Sequence, residues 1–210
     1  MNVNEKEFVE DQLRLLSPDS IKLLEDDLEE NITINICLDK PVWRRPYEKL
    51  THEFEKVEDG LFVYPFERLH LTLLGNIDKN MDVKKIRKAI VENMVGKKFI
   101  FDVGYLGNNN MAISIIAEPR FDLAGLRWGL RKDLGIEKNE KTKYTNIYED
   151  LAWINFIRFS EKPNEVFFDK LWEMREYQFG EFKISEVGVY LNRSRTMDPE
   201  KSKLIEEILL

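Results

Sequence analysis

The run Leu69-His70-Leu71-Thr72-Leu73-Leu74-Gly75 sets an imidazole and a hydroxyl two residues apart in an otherwise apolar stretch. On a strand, alternate side chains share a face, so His70 and Thr72 point together while Leu69, Leu71 and Leu73 point into a core. Imidazole moves protons near neutral pH, and a hydroxyl donates to a phosphate oxygen. The pair therefore suits a site that holds a phosphate and transfers a proton to or from it. A single histidine on a half-buried strand also fits a purely structural role, so the rest of the chain has to decide.

The strand must be positioned by its neighbours. Ile32, Ile34, Ile36 and Leu38 alternate, which predicts a strand, and Trp43, Tyr47, Leu50, Phe54 and Val57 recur at helical spacing. Val83, Ile86, Ile90 and Met94 form a second helical stripe, and Phe99, Phe101, Val103 and Tyr105 a further strand. Gly107-Asn108-Asn109-Asn110 reads as a turn. The order then repeats. Met111–Ala117 is a strand, and a helix from Glu118-Pro119 carries Phe121, Ala124, Trp128, Leu130 and Leu134 and stops at Gly135. Residues 136–149 are polar and loop-like, Leu151–Phe159 is a strand, Pro163 opens a helix with Phe167, Leu171 and Met174, and Phe182–Leu191 is the last long strand. The expected fold is α+β, a duplicated β-α-β-α-β unit with lobes at 31–106 and 111–191, a C-terminal segment 192–210, and a site in the groove between the copies.

Residues 1–30 read as an acidic helical extension, with Phe8, Val9, Leu13 and Leu16 on one short helix and Ile21, Leu24 and Leu28 on a second that ends in Glu25–Glu30. The acidic cluster is either a protein-binding surface or a solvated helix face.

Composition bounds the partners. The 210 residues carry a net charge of -7, which argues against a grip on long duplex nucleic acid and suits a nucleotide or one RNA terminal phosphate. The sequence contains no long apolar run and no basic-then-apolar leader, and its single cysteine, Cys37, has no partner for an internal disulfide; a cytoplasmic protein without membrane association is expected. Two histidines and one cysteine do not make a zinc set, and no phosphate-binding glycine loop or serine elbow appears, so no metal and no cofactor are expected.

With the repeated order in view, the chain resembles the two-histidine phosphoesterase superfamily, the RNA 2′,3′-cyclic phosphodiesterases also called 2′-5′ RNA ligases. The resemblance spans about residues 31–210 and rests on Leu69–Gly75 and on the ending Glu186–Leu191, Arg193-Ser194-Arg195 and Ile205–Leu210. It implies two lobes around a V-shaped cleft, a His-x-Thr or His-x-Ser motif in each lobe, one histidine as base and the other as acid, and no metal. The first motif is met by His70 and Thr72 as catalytic residues. The second falls at Trp153-Ile154-Asn155-Phe156-Ile157-Arg158, where Trp153 stands for the histidine, Asn155 for the threonine, and Arg158 fits the following arginine. Trp153, Asn155 and Arg158 are thus expected to bind ligand, although Trp153 equally fits core packing. Strand parity puts Arg158 on the face opposite Trp153 unless the strand bulges.

Indole is a donor only, so the second lobe reads as a binding half. The leading expectation is a degenerate phosphoesterase-like protein that binds a phosphorylated nucleotide or RNA terminus with weak or no turnover. One alternative is an active 2′,3′-cyclic or 2′-5′ phosphodiesterase in which Tyr64, Tyr105 or Tyr190 replaces the second histidine. Another is a protein-interaction module working through residues 1–30.

Overall fold

A computed structural model describes residues 1, 3–38, 40–108, 111–136 and 145–210, without the side chains of 145 and 146. It contains α1 (Val3–Arg14), β1 (Asp27–Cys37), α2 (Pro41–Glu55), β2 (Leu61–Val63), β3 (His70–Asp78), α3 (Val83–Met94) and β4 (Ile100–Asn108). These are followed by β5 (Ile113–Pro119), α4 (Leu123–Leu134), α5 (Thr145–Asp150), β6 (Ala152–Phe159), α6 (Glu165–Glu173), β7 (Gln178–Lys183), β8 (Glu186–Ser194) and β9 (Ser202–Leu209). No helix among the described residues is long and apolar enough to cross a membrane.

The architecture is α+β, with two antiparallel sheets. One has the order β3-β1-β8-β9 and the other β2-β6-β5-β4-β7. The sheets do not follow the lobe boundaries drawn at 31–106 and 111–191. Strand β4 belongs to the first half of the chain but pairs with β5, and β8 belongs to the second half but pairs with β1. Strands β4 and β5 are close in sequence, with Asn108 opposite Ile113, and neighbouring antiparallel strands readily pair, which draws β4 into the second sheet. Strand β2, also from the first half, pairs with β6, so the second sheet takes two strands from the first half while the first sheet takes β8 from the second.

Helices form where apolar stripes meet capping residues. Asp82, Asp122 and Asn164 each accept a backbone N–H in the first turn of α3, α4 and α6. Gly135 closes α4 at φ 71°, a conformation glycine adopts freely. The α2 stripe of Trp43, Tyr47, Leu50 and Phe54 is buried, as are Ile86, Ile90 and Met94 of α3.

Five local expectations are corrected. Residues 182–191, expected as the last strand, divide between the end of β7 and most of β8, and β9 follows them. Helix α4 starts at Leu123 rather than at Glu118-Pro119. It buries Leu123, Leu126, Arg127, Leu130 and Leu134, leaving Trp128 53% exposed. Residues 145–150, read as loop, form α5. Of the expected turn, Gly107 and Asn108 belong to β4, and Asn109 and Asn110 lie outside the described residues. The second N-terminal helix does not form. Residues 27–30 open β1, with Asp27 opposite Ser194 and Asn31 opposite Asn192. Tertiary pairing overrides a weak local helical pattern there. The acidic cluster is partly used in place. Asp26 accepts the hydroxyls of Ser194 and Thr196, each at 2.8 Å, Lys201 pairs with Asp27 at 2.6 Å, and Arg193 pairs with Glu30 at 2.7 Å.

Candidate functional site

Strand β1 is central in its sheet and buried on both faces. Ile32, Ile34 and Ile36 fill one side, and Thr33, Asn35 and Cys37 lie on the other. On that second side Asn35 is paired in register with Thr72, and Cys37 with His70. The polar row on β1 thus lies beside the His70–Thr72 pair of the edge strand β3.

The His70 Nδ1 lies 2.8 Å from the carbonyl oxygen of Arg68. A carbonyl only accepts, so Nδ1 carries the proton and Nε2 holds the lone pair in the neutral ring. Burial holds the imidazole below its ordinary pKa; the Arg68 carbonyl opposes this, and the positive charge of Arg158 adds to it. His70 is therefore a neutral ring at pH 7, fitted to take a proton at Nε2. The half-buried ring lines a recess of about 460 Å³ with Cys37, Arg68, Tyr190 and Met197. The Tyr190 ring fills the space that a Cβ on Gly188 would need, and its hydroxyl is 3.1 Å from Cys37 Sγ.

Thr72, half-buried on the same strand face, lines a second recess of about 500 Å³ with Arg127, Arg131, Tyr148 and Glu149. Arg127 was not singled out in the sequence, yet it ties the motif strands together. Its guanidinium donates to the carbonyls of Thr72 and Leu73 on β3 and to those of Tyr148, Glu149 and Leu151 leading into β6, at 2.7–3.2 Å. Burial lowers its pKa to about 10, which keeps it charged at neutral pH. The available signal was a cation in register with Leu123, Leu130 and Leu134 on an otherwise apolar helix face.

On β6, Trp153 and Asn155 occupy the half-buried positions. Asn155 accepts the Ser114 hydroxyl at 2.7 Å. Trp153 is packed. Tyr148 lies 5.1 Å from it ring to ring, and it adjoins a small apolar cluster of Val9, Ile116 and Leu151. The strand does bulge: the β5–β6 register shifts between Ser114–Asn155 and Ile113–Ile157. The extra residue changes the parity, and Arg158 turns toward Tyr64 and His70. Arg158 Nε donates to the Tyr64 hydroxyl at 2.8 Å, and Nη1 to the Met111 carbonyl at 3.2 Å. The Tyr64 and His70 rings are 6.4 Å apart.

The structure thus brings His70, Cys37 and Tyr190 to one recess with Tyr64 and Arg158 close by, and Thr72 and Tyr148 to another, with Trp153 packed against Tyr148. His52, on α2, is exposed and takes no part.

No protein-family model and no curated protein sequence matches the chain. Solved structures do. TT0787 of Thermus thermophilus matches at a TM-score of 0.53 and 14% identity, covering 86% of this chain and 97% of its own. E. coli LigT complexed with NADP+ matches at 0.54 and 14%, and LigT complexed with 3′-AMP at 0.54 and 15%; both cover 89% of this chain and 99% of theirs. At these identities the likeness is one of fold. The chain has a LigT-like fold with two antiparallel sheets.

Proposed function

We propose that the protein binds the phosphate of a nucleotide or an RNA terminus between β3 and β6, and that its phosphodiester turnover is slow or absent. The observation that carries this reading is His70: a neutral imidazole with Nδ1 protonated against Arg68 and with Arg158 nearby, on an edge strand facing β6. The nucleotide complexes of LigT, which has the same fold, support it.

In this reading Thr72 and Asn155 contact phosphate oxygens, and Arg158 supplies positive charge near His70. On a cyclic phosphodiester, His70 Nε2 takes a proton from water as the water oxygen bonds to phosphorus. The phosphorus–ribose oxygen bond breaks, and the leaving oxygen needs a proton. Trp153 cannot give one, so it comes from solvent, and the missing acid slows the reaction by about 10²- to 10⁴-fold.

The second reading, an active phosphodiesterase with a tyrosine as acid, is favoured by one observation. Of the three candidate tyrosines, only Tyr190 lines the recess that holds His70. Tyr64 donates to the Arg195 carbonyl, and Tyr105 lies under Lys6.

The test is calorimetric binding of 3′-AMP together with turnover of a nucleoside 2′,3′-cyclic phosphate. Binding weakened by His70→Ala and by Asn155→Ala, with turnover near background, supports the leading reading. Fast turnover lost in Tyr190→Phe supports the second. No binding and no turnover rejects both.

A further inference from the structure

The sheet face that carries Trp153 is already occupied by the chain's own N-terminal helix. Val9 of α1 is 1% exposed and packs in one cluster with Ile116 and Leu151; Phe8, Tyr105 and Trp153 surround it. Ile116 is the register partner of Trp153 on β5, and the Trp153 ring lies 3.0 Å from where a Cβ on Gly107 would stand. Phe8 meets Tyr148 edge-on at 5.4 Å, and Tyr148 in turn covers Trp153. We propose that α1 is a tethered cover over the second-motif half of the cleft, which a phosphorylated nucleotide displaces on binding. This rests on the nucleotide-binding reading above and adds a regulation to that same site.

Two features suit α1 to detachment. Its apolar hold is narrow, with only Val9 and Leu13 buried. Of its ionic ties, Lys6 with Glu176 at 2.8 Å is exposed, whereas Glu10 with Arg175 at 3.7 Å and the terminal amine with Glu118 are partly buried. The exposed Lys6–Glu176 pair holds weakly and is screened by salt. The connector from residue 15 to residue 26 forms no helix or strand, so α1 can leave without opening a sheet.

An independent observation points to the ligand. The indole Nε1 of Trp153 is buried and meets no acceptor among the described residues. Buried donors are nearly always paired. With α1 in place this one is not, and a phosphate or base oxygen arriving beneath a lifted α1 would accept from it. The cost of lifting α1 lowers the apparent affinity, and weakening the cover restores it.

The experiment uses the full-length chain and 3′-AMP. Amide hydrogen exchange is measured across residues 3–14 with and without saturating 3′-AMP, and affinity is compared among wild type, Val9→Asp and Lys6→Glu. The expected result is faster exchange in α1 with ligand bound, and about 3- to 10-fold tighter binding by both variants. Lys6→Glu is the sharper of the two, since it adds negative charge and yet is expected to bind an anion more tightly. Unchanged or stronger protection of α1 with ligand, together with unchanged or weaker affinity in the variants, overturns the cover. If His70→Ala still abolishes binding in that case, the nucleotide-binding reading survives alone. No binding by wild type or either variant removes both.

Discussion

At the scale of single residues, His70 is defined by its surroundings more than by its motif. The ordinary imidazole pKa of 6.5 is lowered by burial against the opposing pull of the Arg68 carbonyl. Between the folded value and 6.5 the unfolded chain binds the extra proton. The stability linked to His70 is therefore full above about pH 6.5 and declines as pH falls toward the folded value. A proton NMR titration should place the His70 midpoint below 6.5; a midpoint at or above it would mean that the buried site accommodates the cation. Arg127 is the other decisive residue. Arg127→Met removes the donors that Arg127 supplies to five carbonyls, two on β3 and three on the segment leading into β6. It should cost at least about 2 kcal/mol, read by chemical denaturation. If Arg127→Met unfolds at the wild-type denaturant midpoint, the clamp contributes nothing.

At the scale of elements, the bulge in β6 and the seat of Trp153 set the geometry of the second motif. Gly107→Ala places a Cβ 2.7 Å from Ile116 Cδ1 and 3.0 Å from the Trp153 ring. Overpacking there should cost about 1–3 kcal/mol and shift tryptophan emission as the indole moves. An unchanged spectrum and melting temperature would show that the seat has slack. The chain before β1 is anchored to the loop after β8 by Asp26. Burial pushes its carboxyl up, but the Ser194 and Thr196 hydroxyls, the Thr196 N–H and Lys201 outweigh this and hold it below 3.8. A depressed carboxylate contributes stability above the unfolded value and loses it as pH falls toward the folded one. Asp26→Ala should accordingly destabilise at pH 7, by about 1–3 kcal/mol, and by less near pH 3. Equal losses at both pH values would assign the effect to packing alone.

At the scale of the whole molecule, β3 of one sheet lies against β6 of the other, and the proposed ligand bridging them should stabilise the fold as a unit. At about 100 times its dissociation constant, 3′-AMP should add about 2.7 kcal/mol to the unfolding free energy of the wild type. It should add little to that of His70→Ala. Stabilisation unaffected by His70→Ala would place the nucleotide elsewhere on the surface.

Much of this was legible locally. Period-two runs gave the strands, three-and-four spacings gave the helices, and the pairing of His70 with Thr72 on one strand face follows from strand geometry alone. That an imidazole stands at residue 70 and an indole at residue 153 is likewise read from the sequence directly. Tertiary structure decided what depends on contacts far apart in the chain. It put β2 and β4 into the second sheet and β8 into the first, because antiparallel pairing is chosen between strands rather than within them. It turned residues 27–30 into strand, since the pairing with β8 outweighs a marginal helix. It brought Arg158 to the His70 side through a single unpaired residue in β6, which no periodicity reports. It gave a cation on an apolar helix face five carbonyls to bind, and it laid α1 on Trp153, because burial of a small amphipathic helix is settled only by the surface it finds.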